Sequence, residues 1–235
     1  MEIRRNSPYL PKNKIRNYIT GIKRKVAYRV WKRKLKKYGN FNKQSVFKLL
    51  EVGCGPGYFL QCAEKWFPNS EMYGLDLDES LIQFASSHLR RASLITHDGQ
   101  NLPFPDETLD LVCSLQVVEH LEKPEEFFLE AYRIVKRNGH LIIATPNPAG
   151  IPAKILGKKW QGHRFDHISL KTPQEWSNII HKSGFKILDD GSTGLTGIKI
   201  LQIFPFALIN WIPMAIFGYF PWYKGESYMV IAKKM

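Results

Sequence analysis

A glycine-rich segment follows a short apolar run near residue 50. It reads Glu51-Val52-Gly53-Cys54-Gly55-Pro56-Gly57. Glycine lets the backbone approach a ligand closely, and the start of a helix offers free N–H groups to that ligand. A dinucleotide-binding fingerprint would need Gly-x-Gly-x-x-Gly, whereas here the third glycine comes one residue early and an acid stands two residues before the first. This spacing favours a ligand that lacks a pyrophosphate.

Two acidic residues stand at the ends of the next two apolar runs. Asp76 comes 19 residues after Gly57, where an acid can accept hydrogen bonds from both hydroxyls of a ribose. Asp98 and Gly99 follow the third run. There a carboxylate can accept from an adenine amino group while a backbone N–H serves a ring nitrogen. Three consecutive strand ends would then line one cleft that fits adenosine.

Short apolar runs alternate with helical segments through most of the chain. This alternation predicts an α/β, Rossmann-like fold, with seven strands in a mostly parallel sheet and helices on both faces. The predicted strands are 47–52, 71–76, 94–96, 109–115, 141–145, 185–188 and 227–232. The predicted helices are 58–66, 78–91, 123–136 and 173–183, with Thr172 as the N-cap of the last. The glycine segment and both acids are therefore expected at one edge of the sheet.

Five segments resemble the successive motifs of class I S-adenosylmethionine-dependent methyltransferases. They are LLEVGCGPGYFL, YGLDLDESLI, HDGQNLPFPDETLDLV, QVVEHL and NGHLIIATPN, and they lie between residues 47 and 147. Their order and spacing match as a set, which makes the resemblance specific. It implies a methyltransferase with S-adenosyl-L-methionine as its cofactor.

The resemblance also implies roles for individual residues at the cofactor. Glu51 would orient the loop and contact the methionine amine through water, and the loop glycines would let the methionyl-ribose part lie against backbone. Asp76 would hold the ribose and Leu77 would pack on the adenine. Asp98 with Gly99 would read the edge of the adenine. The implied cofactor residues are Glu51, Gly53, Cys54, Gly55, Gly57, Asp76, Leu77, Asp98, Gly99 and Gln116.

Three histidines are candidates for catalysis. Methyl transfer to an oxygen or nitrogen is an in-line displacement in which a base can remove the proton of the acceptor, and histidine suits that task at neutral pH. His120 follows the fourth predicted strand, whereas His163 and His167 lie in segment 146–172. In related methyltransferases that segment is a lid over the acceptor. Alternatively, His167 and Asp166 only tie the lid down.

The residues from Gln116 to His120 resemble a metal-binding pattern. The ubiquinone-pathway O-methyltransferases and the small-RNA end 2'-O-methyltransferases carry Glu-x-x-Glu-His, whose acids and histidine bind a divalent metal. Gln116 stands where the first acid would be, which removes one charged ligand for magnesium. We therefore expect no metal, with Glu119 and His120 forming hydrogen bonds between loop and helix.

The formal charge of +13 is concentrated at the start of the chain. Residues 1–40 contain 14 Lys or Arg and one acid, whereas residues 41–235 balance 20 basic side chains against 20 acidic ones. Apolar residues recur at three- and four-residue steps between Lys12 and Tyr38, which predicts a basic amphipathic helix. We therefore divide the chain into a basic arm at 1–40 and a methyltransferase domain at 41–235. A neutral body with a basic arm indicates that the arm docks on an anionic surface.

A second unusual segment is the uncharged stretch from Ile200 to Tyr223, within an apolar insertion predicted at 191–226. Its length would span a bilayer, but Pro205 and Pro213 would interrupt a spanning helix. Burial in a membrane interface fits its aromatic residues, and so does burial as a lid or dimer face.

Together these features favour a cytoplasmic methyltransferase, peripheral on an anionic membrane. Three cysteines, odd in number, and the lack of a signal-like apolar stretch agree with that location. The acceptor would be an oxygen, or else a nitrogen or carbon, of a hydrophobic, lipid-linked or quinone-like molecule. One alternative is an RNA methyltransferase that uses the arm, with Tyr28 and Trp31 stacking on bases; the neutral body argues against nucleic acid. Another is a methyltransferase-like binding protein without turnover.

Overall fold

One seven-stranded sheet organises the molecule. The computed structural model describes residues 28–195, 198, 206, 208, 210, 212 and 223–235. The strands are β1 (Lys48–Val52), β2 (Glu71–Asp76), β3 (Ala92–Thr96), β4 (Leu109–Leu115), β5 (Val135–Pro146), β6 (Phe185–Ser192) and β7 (Ser227–Lys234). Their order is β3-β2-β1-β4-β5-β7-β6, and β7 runs antiparallel to both of its neighbours. The predicted Rossmann-like α/β fold with a mostly parallel sheet is confirmed.

The strand order reverses between β1 and β4. From β1 the chain adds β2 and then β3 on one side, and β4 returns to the other side of β1. In open parallel sheets such a reversal leaves a crevice at the carboxyl ends of the strands, where ligands bind. The topology therefore places the ligand cleft at the glycine segment that follows β1.

Helices cover the sheet at positions close to those predicted. The helical segments are α1 (residues 28–39), α2 (Tyr58–Trp66), α3 (Glu79–Ser86), α4 (Pro124–Ile134), α5 (Ile151–Leu156) and α6 (Pro173–Lys182). Helix α6 begins with a capping box, because the Thr172 hydroxyl accepts from the Glu175 N–H and the Glu175 carboxylate accepts from the Thr172 N–H. The largest differences from prediction are that α3 ends five residues early, that β5 begins at Val135, inside the predicted helix 123–136, and that β6 continues to Ser192.

The central strands of the sheet are buried on both faces, which explains their continuous apolar runs. Leu49 and Cys113 point to the face covered by α1 and α2. Leu50 and Val112, their chain neighbours, point to the face covered by α4 and α6. Alternate residues of one strand thus enter two separate clusters of buried side chains.

Helix α1 packs on the body of the protein. Trp31 and Leu35 are 2% and 0% exposed and belong to the cluster beneath the sheet. The Tyr28 ring meets the Phe59 ring of α2 edge to face, with centroids 5.4 Å apart. The prediction that Trp31 stacks on RNA bases is therefore wrong, because its ring is packed inside the protein, whereas Tyr28 is partly buried.

Two predicted segments lie wholly or mainly outside the described residues. They are the first part of the basic arm, residues 1–27, and most of the apolar insertion at 191–226. Among the residues that the structure describes, no helix is both long and apolar enough to cross a bilayer.

Candidate active site

The glycine segment turns the chain from β1 into α2. Gly53, Gly55 and Gly57 have φ angles of 71°, 52° and 74°, in the left-handed region that strains other residues. A Cβ on Gly53 would lie 2.2 Å from Cγ2 of Val117, and one on Gly57 would lie 2.7 Å from Cδ1 of Leu89. At Gly55 no described atom lies within 4 Å of that position. Packing thus requires the outer two glycines, whereas the middle one faces open space.

Asp76, at the end of β2, reaches back over the glycine segment. Its Oδ2 accepts a hydrogen bond from the Gly55 N–H at 2.7 Å, and its Oδ1 accepts from the Asp78 N–H at 2.9 Å. Burial raises the pKa of this carboxyl, and the two N–H donors act against that rise. The carboxylate therefore lies beside the loop, at the position where we predicted a contact to ribose.

The turn after β3 brings Asp98 and Gly99 to the same edge of the sheet. Gly99 is buried at φ 82°, and a Cβ there would lie 3.3 Å from Cγ1 of Val52 at the end of β1. Its N–H donates to Nδ1 of His97 at 3.0 Å. The Asp98 side chain is exposed and accepts from the Gln100 N–H. Asp98 is thus open to a ligand, while the Gly99 N–H already has an acceptor within the chain.

Glu51, Cys54 and Leu77 surround the loop. Glu51 is 4% exposed, and its Oε2 has no hydrogen-bond partner among the described residues. Burial, with the nearby charge of Asp76, raises the pKa of Glu51 well above its ordinary value. A cationic amine beside Glu51 would offset the free-energy cost of burying its charge, which fits the predicted contact to the methionine amine. Burial also raises the pKa of the Cys54 thiol, and Leu77 is exposed directly after Asp76.

A cavity of about 290 Å³ opens beyond the end of β4. Since β4 runs parallel to β1, the cavity lies at the same end of the sheet as the glycine segment. Polar side chains dominate its walls. The lining residues are Gln116, Glu119, His120, Pro146, Gln161, Gly162, Arg164, His167, Glu226 and Ser227. A reacting group that needs hydrogen bonds or proton transfer could be held here.

Two of the three candidate histidines meet in this cavity. The rings of His120 and His167 lie edge to face, with centroids 4.7 Å apart. Nδ1 of His120 is 2.8 Å from the main-chain oxygen of Asp166, and Nδ1 of His167 is 2.7 Å from that of Gly162. Burial is the main cause that lowers the pKa of His167. His163, in contrast, is exposed against the Trp160 ring and is absent from the cavity wall.

The cavity also includes Gln116, which the sequence analysis predicted to contact the cofactor. Its φ of 63° is unusual for a residue other than glycine, and such strain is typical of functional sites. The Nε2 of Gln116 lies 3.5 Å from the Ser227 hydroxyl at the start of β7. Its contact with the cofactor stays a prediction, as do those of the loop residues.

Glu226 is a cavity residue that sequence reasoning missed. It is 5% exposed, and its Oε1 accepts from Nε1 of Trp160 and Nε2 of Gln161, both at 2.8 Å. Its Oε2 has no partner among the described residues. The only sequence signal was an acid directly before the apolar strand β7. Because β7 pairs antiparallel with β5, that acid comes to lie against segment 146–172.

Comparisons with known proteins identify the domain that contains the glycine segment. Residues 50–143 match a family model described as a methyltransferase domain. The chain is 31% identical over 102 residues to a probable S-adenosylmethionine-dependent methyltransferase of Mycobacterium tuberculosis, covering 42% of this chain and 35% of that protein. It is 30% identical over 99 residues to a malonyl-[acyl-carrier protein] O-methyltransferase of Hahella chejuensis, covering 41% and 36%. Residues 50–143 therefore form a class I S-adenosylmethionine-dependent methyltransferase domain.

The fold comparison extends the likeness beyond the matched sequence. A solved S-adenosylmethionine-dependent methyltransferase of Archaeoglobus fulgidus superposes with a TM-score of 0.62 over 88% of this chain and 94% of that one, at 23% identity. This superposition shows a shared fold, whereas the family match and the sequence relatives confirm the predicted family and its cofactor, S-adenosylmethionine. The two curated relatives are matched over only about a third of their own length. The methyltransferase domain is therefore shared with these relatives. Their methyl acceptors are not assigned to this chain.

Proposed function

We propose that this methyltransferase transfers the methyl group of S-adenosylmethionine to an oxygen of a hydrophobic or lipid-linked acceptor, whose reacting end enters the cavity beyond β4. The pairing of His120 and His167 in that cavity carries the proposal. The sulfonium donor already has a good leaving group, so the protein mainly has to position the acceptor and exclude water.

The two imidazoles can also accept the proton that an acceptor hydroxyl must lose. Each ring nitrogen that faces a main-chain carbonyl must be the N–H donor, because a carbonyl oxygen only accepts. In the neutral ring, Nε2 then keeps its lone pair. Burial lowers the pKa of His167, which favours that neutral form at physiological pH. One of the two Nε2 atoms can take the proton of the acceptor hydroxyl directly. Alternatively, both can bind a metal ion that acidifies this hydroxyl.

Apolar side chains beside the cavity support a hydrophobic acceptor. Phe165 is 94% exposed and follows Arg164, and Ile168 is 56% exposed and follows His167. Apolar surface therefore alternates with the cavity wall along the same segment, so that a polar reacting end and an apolar remainder could be bound together. The O-methyltransferase among the sequence relatives supports an oxygen as the methyl acceptor.

The direct test is methyl transfer from labelled S-adenosylmethionine to separated lipid, small-molecule and RNA fractions of the source cell. We expect label in the lipid or small-molecule extract. Label in RNA alone would replace this proposal with the RNA alternative. Binding of S-adenosylhomocysteine without label in any fraction would instead identify a binding protein without turnover.

A matched pair of variants tests the role of the cavity. We expect His167→Gln to lower the transfer rate by a factor on the order of 100, since proton transfer by a positioned group contributes about that much. His163→Gln serves as the control, because this side chain is exposed and outside the cavity. Equal losses in the two variants would contradict the assignment.

We also propose that residues 1–27 attract the protein to an anionic membrane surface. They contain eight Lys or Arg and one acid. Each basic residue near an anionic leaflet contributes about 1 kcal/mol. Sedimentation with vesicles that contain phosphatidylglycerol should deplete the full chain, but not a chain that begins at residue 28, from the supernatant. The truncation keeps α1, whose buried residues the body needs. Equal amounts of both proteins in the supernatant would refute membrane attachment.

A further inference from the structure

Three potential metal ligands converge in the acceptor cavity. A carboxylate oxygen of Glu119, a ring nitrogen of His120 and a ring nitrogen of His167 all lie within 4.8 Å of one another. Two are neighbours in the turn after β4, and the third comes from segment 146–172. The main-chain oxygen of Glu119 accepts from the Ser169 N–H at 2.9 Å, which holds these two parts of the chain together.

Both imidazoles are oriented as metal ligands usually are. A ligating histidine almost always donates its second ring N–H to a carbonyl or carboxylate, which fixes the tautomer and the ring plane. Here the carbonyls of Asp166 and Gly162 accept from Nδ1 of His120 and His167 at 2.8 and 2.7 Å. The two Nε2 atoms are thereby left as electron-pair donors. Two independent main-chain contacts thus produce the same tautomer in both rings.

The buried carboxylate of Glu119 is a second, separate indication of a metal ion at this position. Its side chain is 0% exposed, and neither carboxylate oxygen has a hydrogen-bond partner among the described residues. A buried carboxylate in that state is unfavourable unless a cation or a donor meets it. The guanidinium of Arg164, which also lines the cavity, instead forms a bidentate ion pair with Asp166, at 2.9 and 2.8 Å. A bound metal ion would satisfy the Glu119 carboxylate.

These ligands do not fit magnesium, although the sequence alone led us to expect no metal of any kind. Magnesium prefers an octahedral shell of oxygens, and the first acid of the related pattern is Gln116 here. Two imidazole nitrogens with one carboxylate oxygen suit zinc and the neighbouring divalent transition metals. We propose that Glu119, His120 and His167 bind one divalent transition metal ion of the zinc type in preference to magnesium.

Such an ion would leave a coordination position for an oxygen of the acceptor and would acidify a hydroxyl bound there. This consequence rests on the proposed function, whereas metal binding itself does not. Binding can be measured without acceptor or cofactor. If no metal binds, methyl transfer assisted by the free imidazoles is still compatible with the data. If metal binds but no methyl is transferred, the metal site is supported and the proposed function is not.

The probes are Zn²⁺, Mg²⁺ and Co²⁺, added to the tag-free chain of residues 1–235 after dialysis against a chelator. We expect about one Zn²⁺ per chain, bound on the order of a hundredfold or more tighter than Mg²⁺. The Co²⁺ form should show visible d–d bands. Its proton NMR spectrum should contain two hyperfine-shifted, exchangeable signals, one from each Nδ1–H. This readout uses the wild-type protein, so it does not depend on the folding of a variant.

Variants then locate the ion. His120→Ala, His167→Ala and Glu119→Gln should each weaken Zn²⁺ binding and remove or alter the Co²⁺ bands. His163→Ala, in the same segment but outside the cavity, should change neither. The proposal is overturned if wild type shows no stoichiometric Zn²⁺ binding, if Mg²⁺ binds as tightly, or if binding survives the loss of both cavity histidines.

Discussion

The main-chain N–H of Gly55 donates a hydrogen bond to Oδ2 of Asp76 over 2.7 Å, so the loop after β1 and the acid after β2 form one unit. Gly55 is also the loop glycine whose Cβ position faces open space. The same contact therefore orders the loop and places a carboxylate at the predicted cofactor cleft.

Replacing Asp76 should weaken binding of the cofactor product. We expect Asp76→Ala to weaken binding of S-adenosylhomocysteine by a factor on the order of 10 to 100, since each hydrogen bond to a charged group contributes about 1.5–3 kcal/mol. Isothermal titration calorimetry measures this directly. Asp106→Ala is the matched control, because that exposed acid precedes β4 at the opposite edge of the sheet. Unchanged affinity in Asp76→Ala would remove Asp76 from the cofactor site.

The loop glycines should divide into two classes. Gly53→Ala should lower the melting temperature strongly, because its Cβ would lie 2.2 Å from Val117 in addition to the left-handed strain. Gly55→Ala meets no described atom within 4 Å, so only the backbone strain of about 1–2 kcal/mol should appear. Its larger effect should be on affinity for S-adenosylhomocysteine. Thermal unfolding and calorimetry on both variants test this; a reversed order would show that the open space is not the cofactor cleft.

Glu51 should make the stability of the ligand-free protein fall as the pH rises. Its folded-state pKa is raised well above the ordinary value by burial. Below the unfolded pKa both states hold the proton; above it, the unfolded state releases the proton first and becomes favoured. Glu51→Gln should therefore raise the melting temperature more at about pH 8 than at about pH 5. The same variant should bind S-adenosylhomocysteine more weakly. An identical gain at both pH values would contradict the burial of an ionisable group there.

Helix α1 should contribute to stability through its apolar face. Trp31→Ala should lower the free energy of unfolding by about 3–5 kcal/mol, as expected for a buried aromatic ring. Lys36→Ala, on the exposed face of the same helix, should change it by less than about 0.5 kcal/mol. Urea denaturation provides the measurement. Similar values for the two variants would mean that α1 does not pack on the body in solution.

Local patterns predicted most of the fold. Helix α2 and strands β2 and β4 begin and end at the predicted residues, because apolar periodicity and the glycine turn are properties of neighbouring residues. The start of α6 at Thr172 followed from its capping residues in the same way. The boundary between α4 and β5 was wrong, since Val135 pairs with Leu109 in the sheet and that pairing overrides the helical pattern.

The sequence by itself determined the methyltransferase motifs and the edge of the sheet at which they meet. Each motif is a short run, and parallel strands carry their ends to a common edge. Only the tertiary structure decided which histidines act together, because segment 146–172 must fold back to bring His167 to His120. It also decided that Glu226 enters the cavity and that Trp31 is buried. Contacts between distant parts of a chain depend on packing, and no local pattern records them.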